Sequence, residues 1–285
     1  MVERRPGLHL IAHAVLLAGV CIVGFPIYVA FVASTQTAQE IVAQAPMSLA
    51  PGSHFIDTWK TALGGGKTTY GSAIPPVAPM LWTSLVSAVL IAVGKIAISL
   101  LSAFAFVYFR FPGRGLCFWM IFITLMLPVE VRISPTYAVV ADLGMLNTWA
   151  GLTVPLMASA TATFLFRQFF LTVPAELVEA ARIDGAGPLR FFRDVLVPLS
   201  ATSVAALFVI QFIYGWNQYL WPLLVTTDES MYPIVMGIRR MIAGGDAANE
   251  WNVVMATAML AMIPPAIVVI GMQRWFVKGL VDAEK

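Results

Sequence analysis

Glu179-Ala-Ala-Arg-Ile-Asp-Gly-Ala-Gly-Pro-Leu-Arg-Phe-Phe-Arg-Asp-Val-Leu-Val-Pro198 is a charged, helix-forming block set between long apolar stretches. Glu179, Arg182, Asp184, Arg190, Arg193 and Asp194 cannot stay in hydrocarbon, because each charge at a bilayer centre costs about 2.5–3.5 kcal/mol even on insertion scales. The block is also too orderly for a passive linker. Glu176 to Ile183 predicts a short helix, Gly185 and Gly187 a sharp turn, and Pro188 the first position of a second helix. A helix-turn-helix of this kind on the surface of a membrane protein points to docking with a partner.

The flanks make it a membrane protein. Of 285 residues, 59% are hydrophobic and only 11% charged, and mean hydropathy is +0.84. Soluble domains carry about 25% charged residues. A net charge of +2 and a pI near 8.6 are too mild to argue for nucleic acid. Cys21 and Cys117 lie in apolar runs, giving neither a disulfide framework nor metal spacing, and His9, His13 and His54 supply no ligand set. The basic N-terminus followed by apolar residues from Leu8 to Ala33 exceeds the roughly 7–15 apolar residues of a cleaved signal, so an uncleaved first span is expected.

A crossing helix needs about 20 mostly apolar residues. Six stretches qualify, near 9–33, 80–106, 116–139, 149–171, 201–225 and 251–273, predicting an all-α polytopic membrane protein with one transmembrane domain over 1–285. Pro128, Glu130 and Arg132 interrupt the third stretch, and the fifth carries Asn217 and Gln218. With both termini inside, the inner segments hold Arg4, Arg5, Arg110, Arg114, Arg167, Arg182, Arg190, Arg193, Arg274, Lys278 and Lys285. The outer loops hold only Lys60, Lys67, Arg239 and Arg240. The positive-inside bias therefore predicts N-in, C-in, with the 172–200 block facing the cytoplasm.

The longest outer segment, 34–79, predicts a short amphipathic helix behind Ser53, since Phe55, Trp59 and Leu63 recur every four residues. That stripe is expected to pack on the protein's own rim. Gly66-Lys67-Thr68 resembles the end of a phosphate-binding P-loop, but the glycine required five residues earlier is Thr61. No nucleotide motif is present, so energy must come from a partner or an ion gradient. No internal repeat is visible, which weighs against an inverted-repeat secondary transporter.

The charged block resembles the EAA loop of bacterial ABC importer permeases of the carbohydrate-uptake, maltose permease-like family. The match runs through Arg167-Gln-Phe-Phe170, Val173-Pro-Ala-Glu-Leu177, Glu179-Ala-Ala181, Asp184-Gly-Ala186, Phe192-Arg193 and Pro198-Leu199, with Leu146-Asn-Thr148 and Gly151-Leu152 upstream. Asp194 and Thr202 depart from the family pattern, at positions that concern the helix exit rather than docking. Two further stretches, Phe122 to Arg132 and Gly215 to Pro222, resemble the sn-glycerol-3-phosphate permeases within the family, which implies that solute or a related glycerophosphodiester or sugar as the substrate.

The resemblance implies a type I ABC importer permease with a cytoplasmic EAA coupling loop at 172–200, in the bacterial cytoplasmic (inner) membrane. It implies a second permease subunit, a homodimeric cytosolic ATPase and a periplasmic solute-binding protein as partners. The chain itself is then non-catalytic and binds no cofactor, and ATP and Mg are used by the ATPase. Glu176, Glu179, Ala180, Ala181, Asp184, Gly185 and Ala186 are the implied coupling residues: the first helix seats in a cleft on the ATPase, Glu179 faces a basic group, and the alanines keep the helix thin. The alternative for Glu179 is an ordinary helical pairing with Arg182.

The substrate path is open between two groups. Lys95, Glu130 and Arg132 are expensive at depth and mark either a pathway or a structural pair. Arg132 is the preferred group for an anionic phosphate. Asn217 and Gln218, flanked by Trp216 and Tyr219, suit a polyol, the rings covering C–H surface while the amides pair hydroxyls. The same residues also suit a membrane interface or helix–helix glue. Two further classes compete with the ATP-driven importer. One is an ion-gradient-driven secondary transporter with Glu130 as the coupling group; the other is an intramembrane enzyme, which lacks a nucleophile–base or metal set.

Overall fold

The computed structural model describes residues 6–43, 46–68, 71, 73–124, 129–242 and 249–282, with the side chains of 6–9, 129–130 and 276–282 also outside the description. The chain opens with α1 (Pro6–Ala33), α2 (Ala38–Ala43) and α3 (Phe55–Gly64), then a two-stranded antiparallel hairpin of β1 (Gly66–Lys67) and β2 (Ala73–Ile74). There follow α4 (Val77–Tyr108), α5 (Arg114–Ile123), α6 (Val129–Asp142), α7 (Trp149–Thr153) with a 3-10 turn at Val154–Leu156, and α8 (Ala160–Leu171). Next come α9 (Ala175–Ile183), α10 (Pro188–Phe191), a π-helical turn at Phe192–Leu196, α11 (Val197–Leu199) and α12 (Ala201–Trp216). The chain closes with α13 (Leu220–Val225), a 3-10 turn at Glu229–Met231, α14 (Ile234–Met241) and α15 (Trp251–Asp282).

Among the described residues, three helices are long and apolar enough to cross a bilayer: Leu10–Ala33, Val77–Tyr108 and Trp251–Trp275. Two bent helix pairs raise the number to five. Trp149–Leu156 meets Ala160–Leu171 at 48°, and Pro188–Leu199 meets Ala201–Trp216 at 72°. The expected fourth span is thus broken rather than straight. Pro155 has no N–H for an α-helical bond, and Ser159 restarts the helix by accepting the Ala162 N–H at 3.3 Å. The third expected span is described as α5 and α6 on either side of 125–128; Pro128 and the Glu130 side chain lie outside the described residues.

The fifth expected span ends early, at Trp216, and resumes as α13 from Leu220. Pro222 falls in the first turn of α13, where its missing N–H costs nothing. Pro198 likewise cannot return a hydrogen bond one turn back to Asp194, and the chain there widens into the π turn before bending.

The chain divides into two compact units, 1–79 with 237–263 and 80–236 with 264–285. In the first, α1 exposes Leu10, Val15, Leu16, Val20 and Ile22, as a lipid-facing helix does. The 46–54 segment is stitched to the end of that helix: Tyr28 donates to the Leu49 carbonyl at 2.8 Å, and the Gly52 N–H donates to Thr35 Oγ1 at 2.7 Å. Helix α3 is present, with His54 rather than Ser53 at its N-cap, but its buried face carries Thr58 and Ala62. The expected stripe is displaced to the edge: Phe55 packs on Trp59 at 4.8 Å and on Phe31 at 6.1 Å, and Trp59 Nε1 donates to Ser34 Oγ at 3.2 Å. Gly66-Lys67, the residues resembling a P-loop, form a hairpin strand.

In the second unit, Ile96, Leu100, Ala103 and Phe104 of α4 pack on Ala162, Phe166 and Phe170 of α8 and on Phe191, Leu196 and Leu207. Phe104 and Phe192 lie 4.9 Å apart, and Tyr108 meets Phe191 edge-on at 5.4 Å. This aromatic cluster ties the charged block to the end of α4.

Candidate functional site

The first candidate locus is that charged block. Helix α9 ends in a Schellman motif: the Ala186 N–H donates to the Ala181 carbonyl at 2.8 Å and the Gly185 N–H to Arg182 at 3.0 Å. Gly185 adopts φ +70°, and a Cβ there would touch nothing within 4 Å, so its requirement is backbone conformation alone. Gly187 is extended and caps α10, with Pro188 at the first helical position. We expect Gly185→Val to cost about 1–2 kcal/mol locally and to lower uptake severalfold in transport assays, with Gly185→Asn milder.

Val178, Ala181 and Ala186 face Phe104, Tyr108 and Phe191 across a crevice of about 130 Å³. The opposite side of the block is open. Glu176, Glu179, Ala180 and Asp184 are exposed, and among the described residues no side chain pairs with Glu179. Ile183 and Leu189 are 86% and 74% exposed beside these charges. Apolar side chains bare beside charges are a feature of protein-docking surfaces. Asp194, one of the departures from the family pattern, pairs with Arg190 at 3.5 Å, an exposed helical contact worth about 0.3–0.5 kcal/mol.

The second locus is a cavity of about 570 Å³ between α4, α6, α8 and the α12–α13 break. Lys95, Arg132, Gln211, Tyr214 and Gln218 line it. Lys95, 6% exposed, donates from Nζ to Gln211 Oε1 at 3.0 Å and sits 3.6 Å from the Tyr214 ring centroid. Gln218 Nε2 donates to the Tyr214 carbonyl at 3.0 Å. Arg132, on α6, is exposed toward the same space.

The structure separates the expected path residues. Arg132 and Gln218 line the cavity, whereas Trp216 is 2% exposed and stacks on Phe212 at 5.8 Å, away from the lining. Asn217 is exposed and ends α12, its N–H returning to Ile213; neither it nor Tyr219 is among the lining residues. The Glu130 side chain lies outside the described residues. Gln211 and Tyr214 escaped the sequence reading. Their signal is spacing: Gln211, Tyr214 and Gln218 recur at i, i+3 and i+7, the first two on α12 and the third just past its end.

Leu146-Asn147-Thr148 has a structural explanation. Asn147 adopts φ +55° and its Oδ1 accepts the N–H groups of Thr227 (2.7 Å) and Asp228 (3.1 Å), while its own N–H donates to the Val225 carbonyl at 3.0 Å. Thr148 caps α7 at Gly151, whose carbonyl receives Trp221 Nε1 at 3.0 Å. Asn147→Ala should lower thermal stability by about 1–3 kcal/mol, seen as a reduced Tm in detergent, with Asn147→Leu losing at least as much.

A helical protein with broken apolar helix pairs, a cavity lined by cationic and amide side chains and a charged helix-turn-helix has the architecture of a transport permease. The chain belongs to the family of binding-protein-dependent transport system inner membrane components, which matches residues 95–282. It is therefore a multi-pass protein of the cytoplasmic membrane. It is 62% identical over 286 residues to the sn-glycerol-3-phosphate transport system permease protein UgpE of Brucella melitensis, and 61% and 59% identical to the UgpE proteins of Agrobacterium fabrum and Escherichia coli O1:K1, each aligned over 100% of both chains. Its fold is similar to that of a chain from a bacterial ABC transporter involved in import of the acidic polysaccharide alginate (TM-score 0.76, 22% identity, covering 97% of this chain and 99% of that one).

Proposed function

We infer that this chain is a transmembrane permease subunit of an ATP-driven importer of sn-glycerol-3-phosphate. It works beside a second permease, a homodimeric cytosolic ATPase and a periplasmic solute-binding protein. The chain is non-catalytic and holds no cofactor of its own; ATP and Mg are used by the ATPase. The observation that carries the coupling role is the open face of the elbow, where Glu179 stands without a partner among the described residues and Ile183 and Leu189 are bare beside it. When the two ATPases close on ATP, the elbow moves as a rigid body through the aromatic cluster at the end of α4, and the spans tilt between inward-open and outward-open. The substrate assignment rests on the full-length likeness to the UgpE proteins. The excess of Lys and Arg in the alternate segments supports a cytoplasmic side for both termini and the elbow.

The relatives lend nothing to ion-gradient coupling. The test is uptake of labelled sn-glycerol-3-phosphate by the reconstituted complex. Uptake requires the binding protein and stops when the ATPase is inactivated with the ion gradient intact. Uptake that persists without ATP hydrolysis and stops on collapse of the gradient overturns the assignment.

A further inference from the structure

We propose that the cavity at Lys95 is a phosphomonoester site within this chain, with Lys95 as its fixed cation and Arg132 as its mobile one. The proposal rests on the reading of the chain as an sn-glycerol-3-phosphate permease and adds to it the part of the path that holds the phosphate. Three observations carry it.

The first is charge. Two cationic side chains from different helices, Lys95 of α4 and Arg132 of α6, line one space of about 570 Å³, and among the described residues no carboxylate lines it. Cations brought together at membrane depth are costly unless an anion joins them.

The second is how Lys95 is held. It lies near the middle of α4, roughly 20 Å from that helix's C-terminal end. Its partners among the described residues are neutral: an amide oxygen at 3.0 Å and an aromatic face at 3.6 Å. An ammonium has three donors. An amide and a ring orient it without cancelling its charge, and no described carboxylate pairs with it.

The third is the neighbouring backbone. The N-terminal residues Ser159, Ala160 and Thr161 of α8 also line the cavity, so the positive end of a twelve-residue helix opens onto the same space. Ser159 Oγ caps the Ala162 N–H, and the amides of Ala160 and Thr161, in the first turn, have no acceptor within the helix itself. A phosphomonoester carries about 1.5–2 negative charges at neutral pH and three acceptor oxygens, which match an ammonium, a guanidinium and a helix terminus. A phosphodiester carries one negative charge and has fewer free oxygens. A neutral polyol would leave both cations unpaired. The site therefore discriminates by charge, with Gln218 beside it as an amide for hydroxyls.

The experiment uses the whole reconstituted complex with saturating binding protein and three labelled solutes: sn-glycerol-3-phosphate, glycerophosphocholine and glycerol. Lys95→Met should lower uptake of the monoester roughly 10–100-fold and that of the diester several times less, while Lys95→Arg stays close to wild type. Arg132→Gln, an exposed position that packing does not depend on, should shift the monoester-to-diester ratio in the same direction. Equal losses for both solutes, or a Lys95→Arg variant as poor as Lys95→Met, would assign Lys95 a purely structural role and overturn the site. Wild-type monoester uptake by Lys95→Met overturns it as well, and leaves the assigned substrate standing. A wild-type complex that carries glycerol and refuses the phosphate sinks the substrate and the site together.

Discussion

Glu179→Lys should leave the protein inserted and assembled with its partners while uptake falls roughly a hundredfold or more. The reasoning is electrostatic. Glu179 lies on the open side of α9, exposed and unpaired among the described residues, so reversing its charge breaks no pairing among them. Truncating one partner of a desolvated, hydrogen-bonded charge pair at an interface costs about 2–5 kcal/mol. Placing a lysine against the basic group expected on the ATPase adds repulsion. Glu179→Gln keeps the shape and a hydrogen-bond acceptor and should lose roughly tenfold. The informative measurement pairs uptake with ATP hydrolysis: in Glu179→Lys, hydrolysis should no longer respond to the loaded binding protein. Normal transport by that variant would falsify the coupling assignment, because Glu179 makes no pairing among the described residues that could account for it instead.

The elbow was legible in the sequence because its signals are local. A glycine needed at positive φ, a proline at a first helical turn and charges that hydrocarbon refuses are properties of single residues, and Gly185, Pro188 and Glu179 all occupy the places those properties dictate. The first, second and last spans were legible for a similar reason, being long uniform apolar runs. The fourth and fifth were legible as hydrophobicity but not as shape. Their breaks depend on where Pro155, Pro198 and Pro222 fall within a turn, and hydropathy averages over that. Helix α3 illustrates the limit in small: periodicity found the helix, but the packing of Phe55 on Phe31 rotated its buried face to Thr58 and Ala62. The cavity was the least legible part. Its residues come from α4, α6, α8, α12 and α13, and only tertiary structure makes neighbours of Lys95 and Gln211, which are 116 residues apart. The aromatic and amide cluster at 216–219 drew attention by composition, whereas Trp216 turned out to be packing. Of that cluster only Gln218 lines the cavity, together with Gln211 and Tyr214 at i−7 and i−4 from it.

That cavity depends on how closely α4 and α12 approach, and Gly215 sets the approach. A Cβ built at Gly215 would sit 2.9 Å from the Ala88 Cα and 3.4 Å from its carbonyl oxygen. The obstacle is backbone, so it cannot swing aside as a side chain would. Small residues at such crossings let two membrane helices touch along their backbones. Gly215→Leu must therefore separate the helices, and overpacking of this kind costs about 1–3 kcal/mol before any loss of polar contacts. Those losses follow directly. Gln211 lies one turn before Gly215 and Lys95 two turns after Ala88, so a wedge there pulls the amide away from the ammonium held at 3.0 Å. We expect Gly215→Leu to lower the Tm of the purified complex clearly and to abolish uptake, with Gly215→Ala intermediate. Ala88→Gly should not restore Gly215→Leu, because removing that methyl group leaves the Ala88 Cα and carbonyl in place. If Ala88→Gly does restore uptake, the contact is between side chains and the backbone-limited crossing is wrong.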